Sequence, residues 1–391
     1  MVKNPAIAEF LVFLSLILFS PFFQSCSPKS TGSKTPVCTQ SNNVFTGTAS
    51  LQSWLATKTA QVPVNELPGE FYAPYRQALA NLAWEDGVYI TRDGLTLYST
   101  YSPMDLLQAL ISGATPTSFY KYERGDLIGQ DFSNPFSGQT YAWLHEDVAM
   151  SQRSSVNDPF CNWTLSNLKD KYYNVGAPVG ILNSTNKNLF DYFAYTDDSG
   201  GQGIKIKLMM NVGRSLSASG TLLPSNVDEP GIDQDNPHIE RYDNTNPQDL
   251  VLFYESDNKP GGAGGHDIWY STSADGGATW TNPLNVTTIN TSADEIQPHL
   301  YFDGSKWWLY YASTNPSDGK LAIYRAQQGQ AGNWDSWQNK QIVVSAGTTA
   351  GVGEPTLTDS GDLSFVVVTH NTTGGTAFDQ YDSDPWFMKK K

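Results

Sequence analysis

The chain has 391 residues with 39 Asp and Glu against 24 Lys and Arg, a formal charge of −15 and a pI near 4.6. That charge, with no basic stripe beyond Lys389 to Lys391, excludes nucleic acid and an anionic lipid surface as electrostatic partners. Length alone allows one to three domains, and the 13% aromatic content suits strand and blade-core positions.

Met1 to Ser25 reads as an export signal, with Lys3 early and an apolar run from Phe10 to Phe23 that is short for a membrane span. Gln24-Ser25-Cys26-Ser27 follows and resembles the lipobox of bacterial lipoproteins, although Phe23 and Gln24 depart from its usual residues. The resemblance implies lipidation at Cys26, attachment to the membrane through that lipid only and, because Ser rather than Asp follows the Cys, the outer membrane of a bacterial envelope. Residues 26–43 are polar and read as a tether. Cys38 and Cys161 remain; in an exported chain they either pair or stay free.

Residues 44–391 read as one all-β domain built from a repeat. The stretch from Asp235 to Glu295 holds strand-like runs at 238–241, 250–254 and 267–271 and a weaker one at 280–286, separated by turn-rich segments. An acidic residue or Gly followed within three positions by Pro opens each copy: Gly176 with Pro178, Asp235 with Pro237, Glu295 with Pro298, Glu354 with Pro355. The prolines stand 59, 61 and 57 residues apart. Four short strands at such a period predict blades of a β-propeller.

A fifth copy starts at Glu85-Asp86-Gly87 and has its third strand delayed to Asp147–Gln152, which makes 102–144 an insertion over one face. Third strands elsewhere are expected at 204–210, 267–271, 321–326 and 386–389. The last copy shows three strands, so its fourth has to come from 44–75, closing a ring of five blades. Within that leading segment, 51–57 and 75–82 have helical character.

Ser273-Ala-Asp275-Gly-Gly277-Ala-Thr-Trp280 matches the Asp-box pattern of sialidases and other propellers. Asp275 is expected to accept N–H bonds inside the turn while Trp280 packs beneath. The phrases Asp235-Asn-Pro-His-Ile239, Glu354-Pro-Thr-Leu357 and Gly265-His-Asp-Ile-Trp-Tyr270 resemble TolB-like (WD40-like) periplasmic propeller repeats over roughly residues 84 to 391. That resemblance implies a module that binds protein or glycan without catalysis, and this is the first expectation. The alternative is a glycoside hydrolase, sialidase-like or of the five-bladed furanosidase kind. Arabinanase-like enzymes gather three carboxylates at the axial end of inner strands, and here Asp86, Asp235, Glu295 and Glu354 each begin one. As a repeated feature they are read first as turn anchors. His238 and His299 follow Pro237 and Pro298 and are expected to line the axial channel, as ligand-binding residues together with the four carboxylates. No motif requires a cofactor; if a metal binds, oxygen ligands from several blades point to Ca²⁺ in that channel.

Overall fold

The computed structural model describes residues 38, 58–80, 84–102, 146–168, 174–198, 203–243, 245–257, 259–370 and 381–391. The leader, Cys26, the tether apart from Cys38, the 51–57 segment and the insertion beyond Ser102 lie outside the described residues. Two short strands, β1 (Val64–Asn65) and β2 (Tyr75–Arg76), precede five antiparallel sheets. Blade one is β3 (Trp84–Ile90), β4 (Thr96–Ser102), β5 (Asp147–Gln152) and β6 (Thr164–Leu165). Blade two is β7 (Val175–Leu182), β8 (Leu189–Asp197), β9 (Lys205–Gly213) and β10 (Thr221–Leu222). Blade three is β11 (Asp235–Arg241), β12 (Leu250–Ser256), β13 (Asp267–Ser273) and β14 (Leu284–Asn285). Blade four is β15 (Glu295–Phe302), β16 (Trp307–Thr314), β17 (Leu321–Gln328) and β18 (Trp337–Ser345), with β1 added at its edge. Blade five is β19 (Gly351–Leu357), β20 (Leu363–His370) and β21 (Tyr381–Met388), completed by β2.

The fold is therefore a five-bladed β-propeller whose leading segment closes the ring. β2 pairs Tyr75 with Phe387 and Arg76 with Trp386, so these two residues form a strand where the sequence had suggested helix. The last blade's third strand begins at Tyr381, earlier than expected, because two acidic residues masked its strand character. Asp382 and Asp384 are fully buried there, paired with Lys58 and, for Asp384, also with Arg76 at 2.9 Å. Lys58 is itself 1% exposed. The leading segment thus supplies blade five with both its outer strand and its countercharges.

Second strands are largely buried on both faces because each lies between neighbouring blades. All seven residues of β12 are buried, and Phe253 packs edge-on against Trp334 and Trp337 of the next blade, with centroids 5.9 and 6.2 Å away. Across the first blade junction Tyr98 meets Phe193 edge-on and Phe190 at a tilt. In the Asp-box turn, Thr279 N–H donates to Asp275 at 2.8 Å, Gly277 N–H donates to Ser273 Oγ at 2.8 Å, and Trp280 Nε1 donates to the Gly277 carbonyl at 3.1 Å. Trp280 is buried. These bonds fasten an outer turn far from the axis.

Cys38 and Cys161 form a disulfide that closes a loop of 123 residues. It ties the tether to blade one beside Phe160. Cys161→Ser is expected to lower the thermal midpoint, since the chain-entropy account assigns about 4–5 kcal/mol to a loop of this size; calorimetry with and without reductant checks it. Among the described residues, no helix is long and apolar enough to cross a membrane.

Candidate functional site

All five inner strands carry the same irregularity. Each has a register shift that leaves two residues unpaired, and the first of the two is in the left-handed region: Gly87, Ala177, Asn236, Gln297 and Glu354, with φ of 52°, 43°, 46°, 58° and 55°. In four blades the second is Pro, which has no N–H to lose from the ladder. At Gly87 a side chain is also excluded by space, because a Cβ would lie 2.4 Å from Thr100 Oγ1 of the same blade and 3.2 Å from the Ala177 backbone of blade two. The repeated bulge bends every inner strand at the same height. The five bulges line one open hollow on the axis, and His238 and His299 share in its lining.

The bulge decides which carboxylates reach that hollow, because side chains on a strand alternate and a one-residue offset reverses the direction. Asp86 and Asp235 sit one residue before the bulge, and Glu354 occupies the bulge itself. Glu295 sits two residues before it, as Glu85 does in blade one, and points away. Its oxygens accept from Thr291 N–H at 2.6 Å, Thr291 Oγ1 at 2.8 Å and Ser313 Oγ at 3.2 Å. The grouping of four equivalent axial carboxylates is corrected accordingly: Glu295 anchors a turn, and three remain.

Asp86 accepts from Trp84 Nε1 at 3.1 Å and from Gly87 N–H at 3.0 Å, and lies within hydrogen-bonding reach of Glu354. Burial raises its pKa against those donors. Asp235 accepts from Asn236 N–H at 2.7 Å and stands opposite Glu255 on β12. Burial, and then the Glu255 charge, push it up to about 7. Glu354 is raised well above the carboxylate range by burial first and then by Asp86, Glu255 and Asp235. Like charges gathered in a confined space cannot all ionise, so at neutral pH this cluster retains a proton.

Two further acids belong to the site and escaped the sequence reading. Glu255 ends the apolar run of β12 and could have been found by pairing that strand antiparallel with β11. Glu146, just before β5, is raised to about 8 by burial and then by Asp86 and Asp235; its neighbours in the insertion gave no signal. His266 Nδ1 lies 3.6 Å from Glu255. Burial alone would depress this imidazole, but Glu255, Asp294 and Asp257 raise it to about 9. Its place beside Glu255 favours the charged form at neutral pH.

His238 and His299 are buried with ring centroids 4.2 Å apart. Burial and the nearby Arg92 hold His238 well below its ordinary pKa; burial, His238 and Arg92 do the same for His299. His299 Nε2 accepts from Leu357 N–H at 3.1 Å, so its proton is on Nδ1. Among the described residues, no three or more His, Cys, Asp or Glu converge to hold a metal ion. The donors here do not fit the expected Ca²⁺ cage.

No family model matches the chain, and no curated protein matches it. Solved structures do. The catalytic domain of a GH62 α-L-arabinofuranosidase from Coprinopsis cinerea superposes with a TM-score of 0.50 at 10% identity, covering 83% of this chain and 98% of its own. A thermostable family-43 glycoside hydrolase gives 0.47 at 15% identity over 81% and 92% of the two chains. An N-acetylgalactosamine deacetylase from F. plautii gives 0.49 at 11% identity over 84% and 95%. At these identities the likeness is one of fold. The expectation of a binding module without catalysis is nonetheless corrected. It rested on a resemblance to TolB-like repeats, whereas the ring that superposes at a TM-score of 0.50 is the catalytic domain of a glycoside hydrolase.

Proposed function

We propose that the protein is a glycoside hydrolase acting at the axial mouth. The observation that carries this reading is the meeting of Asp86, Asp235 and Glu354 from three blades, with a proton retained among them at neutral pH. Glycoside hydrolysis needs one carboxylic acid to protonate the leaving oxygen and one carboxylate to act at the anomeric side. Glu354, raised well above its ordinary value by burial and then by its neighbours, is the general acid. Asp86, within hydrogen-bonding reach of Glu354, is too close to flank the same glycosidic bond and instead helps to keep Glu354 protonated. Asp235, paired across the strand with Glu255, is the carboxylate that works with Glu354 at the anomeric side.

A net negative mouth repels uronates and sulfated sugars and accepts neutral ones. The test is release of 4-nitrophenol from neutral aryl glycosides by wild type and by Asp235→Asn. Turnover that survives Asp235→Asn unchanged would remove Asp235 from the mechanism.

The envelope assignment is part of the same proposal: a lipid on Cys26 holds the propeller at the outer membrane, where extracellular glycan is met. Each buried CH₂ adds about 0.8 kcal/mol, so several acyl chains give stable anchoring. Cys26→Ser is expected to move the protein from the membrane to the soluble fraction with its melting unchanged. Wild type that takes up no labelled palmitate would contradict the anchor.

A further inference from the structure

Gln297, on blade four, joins an acid of blade three to an acid of blade five. It is the bulge residue of β15, half-buried at the axial hollow. Its carboxamide forms a two-bond ring with the bulge residue of blade five: Glu354 N–H donates to Gln297 Oε1 at 3.0 Å, and Gln297 Nε2 donates to Glu354 Oε1 at 2.7 Å. A backbone N–H can only donate, so the amide oxygen is fixed on that side and its NH₂ must face the carboxyl. The Gln297 backbone N–H donates in turn to Glu255 Oε2, whose partner oxygen faces His266. Space for the carboxamide comes from Gly353, where a Cβ would stand 2.5 Å from Gln297 Oε1.

We propose that Gln297 is a positioning residue that commits Glu354 Oε1 as an acceptor and leaves the proton on Oε2, turned toward Asp86 and the mouth. A neutral carboxyl has one carbonyl and one hydroxyl oxygen, so an amide donor on one of them assigns the other. The charged groups facing Glu354 are Asp86 on β3, Asp235 on β11 and Glu255 on β12. Glu146 acts on the first two from beside β5, and His266 lies behind Glu255. Their fields set whether the carboxyl is protonated. Gln297 sets where that proton sits. The kinetic consequence rests on the proposed role of Glu354 as general acid, whereas the geometry does not.

The test uses the full chain with ¹³C-labelled Glu carboxyls, the Glu354 resonance being assigned with Glu354→Gln. Gln297→Met keeps side-chain length and removes both bonds. Gly353→Ala displaces the carboxamide while leaving both side chains intact, and Gly353 is not in the left-handed region, so the backbone tolerates Ala. Loss of the Nε2 donor removes a bond that favours the charged form, so the Glu354 titration midpoint is expected to rise in both variants. On an unactivated glycoside kcat is expected to fall roughly 10- to 100-fold with KM little changed. An unmoved midpoint in both variants overturns the proposal, as does a rise in KM with kcat kept, which would make Gln297 a substrate contact. A midpoint that moves in a protein whose wild type hydrolyses no glycoside supports the positioning role and defeats the hydrolase reading alone.

Discussion

Glu354→Gln is expected to lower kcat on an unactivated glycoside by about 10²–10⁴-fold, the usual worth of a positioned general acid. The loss should be much smaller on a 4-nitrophenyl glycoside, whose leaving group departs without protonation. The same substitution is expected to stabilise the fold at alkaline pH. Burial and three neighbouring acids raise the folded-state pKa of Glu354 above its unfolded value, so its favourable contribution is complete below that unfolded value and is lost as pH rises through the folded one. Gln does not titrate. The variant and wild type should therefore melt alike near pH 4 and diverge above it, the variant being higher. Asp235→Asn should follow the same course over a defined window, from 3.8 to about 7. Calorimetry from pH 4 to 9 checks both, and melting curves that stay parallel across that range would show that neither acid is perturbed.

The other large effect is expected at the ring closure. A chain starting at Trp84 loses β1, β2, the disulfide and both cations that pair with Asp382 and Asp384. Blade five would then expose an open strand edge and hold two fully buried carboxylates without those countercharges. Loss of cooperative unfolding is expected. Lys58→Met isolates the electrostatic part: breaking a buried pair from one side costs about 3–5 kcal/mol, which chemical denaturation would show as an earlier midpoint with an unchanged slope. A truncated chain that melted like the mature protein would contradict this closure.

Much of the ring was legible from the chain because its signals are local. Proline spacing marked the inner strands, continuous apolar runs marked the later second strands, and Asp147–Gln152 was placed across a long insertion as the third strand the repeat required. Strand character failed to show where tertiary pairing outweighs composition: at Asp382 and Asp384, whose charges are neutralised by residues about 300 positions earlier, and at Tyr75–Arg76, a strand only because β21 lies beside it. The site was half legible. Asp86, Asp235 and Glu354 were named because each begins an inner strand, but counting on to the next Pro does not distinguish offsets of one, two and three residues. Glu295 was admitted by that count and excluded by the alternation of side chains. Glu255, Glu146 and Gln297 enter through cross-strand and cross-blade contacts, which no single stretch of sequence displays.

The central claim is that the axial carboxylates hydrolyse a glycosidic bond, and time-resolved proton NMR of neutral oligosaccharides incubated with the protein tests it most directly. The account predicts that wild type converts at least one of them, with a new anomeric signal growing in, and that the Asp235→Asn, Glu354→Gln double variant, folded by the same spectra, gives no such signal. Conversion by the double variant at the wild-type rate would contradict it, as would a wild type that leaves every neutral glycan intact.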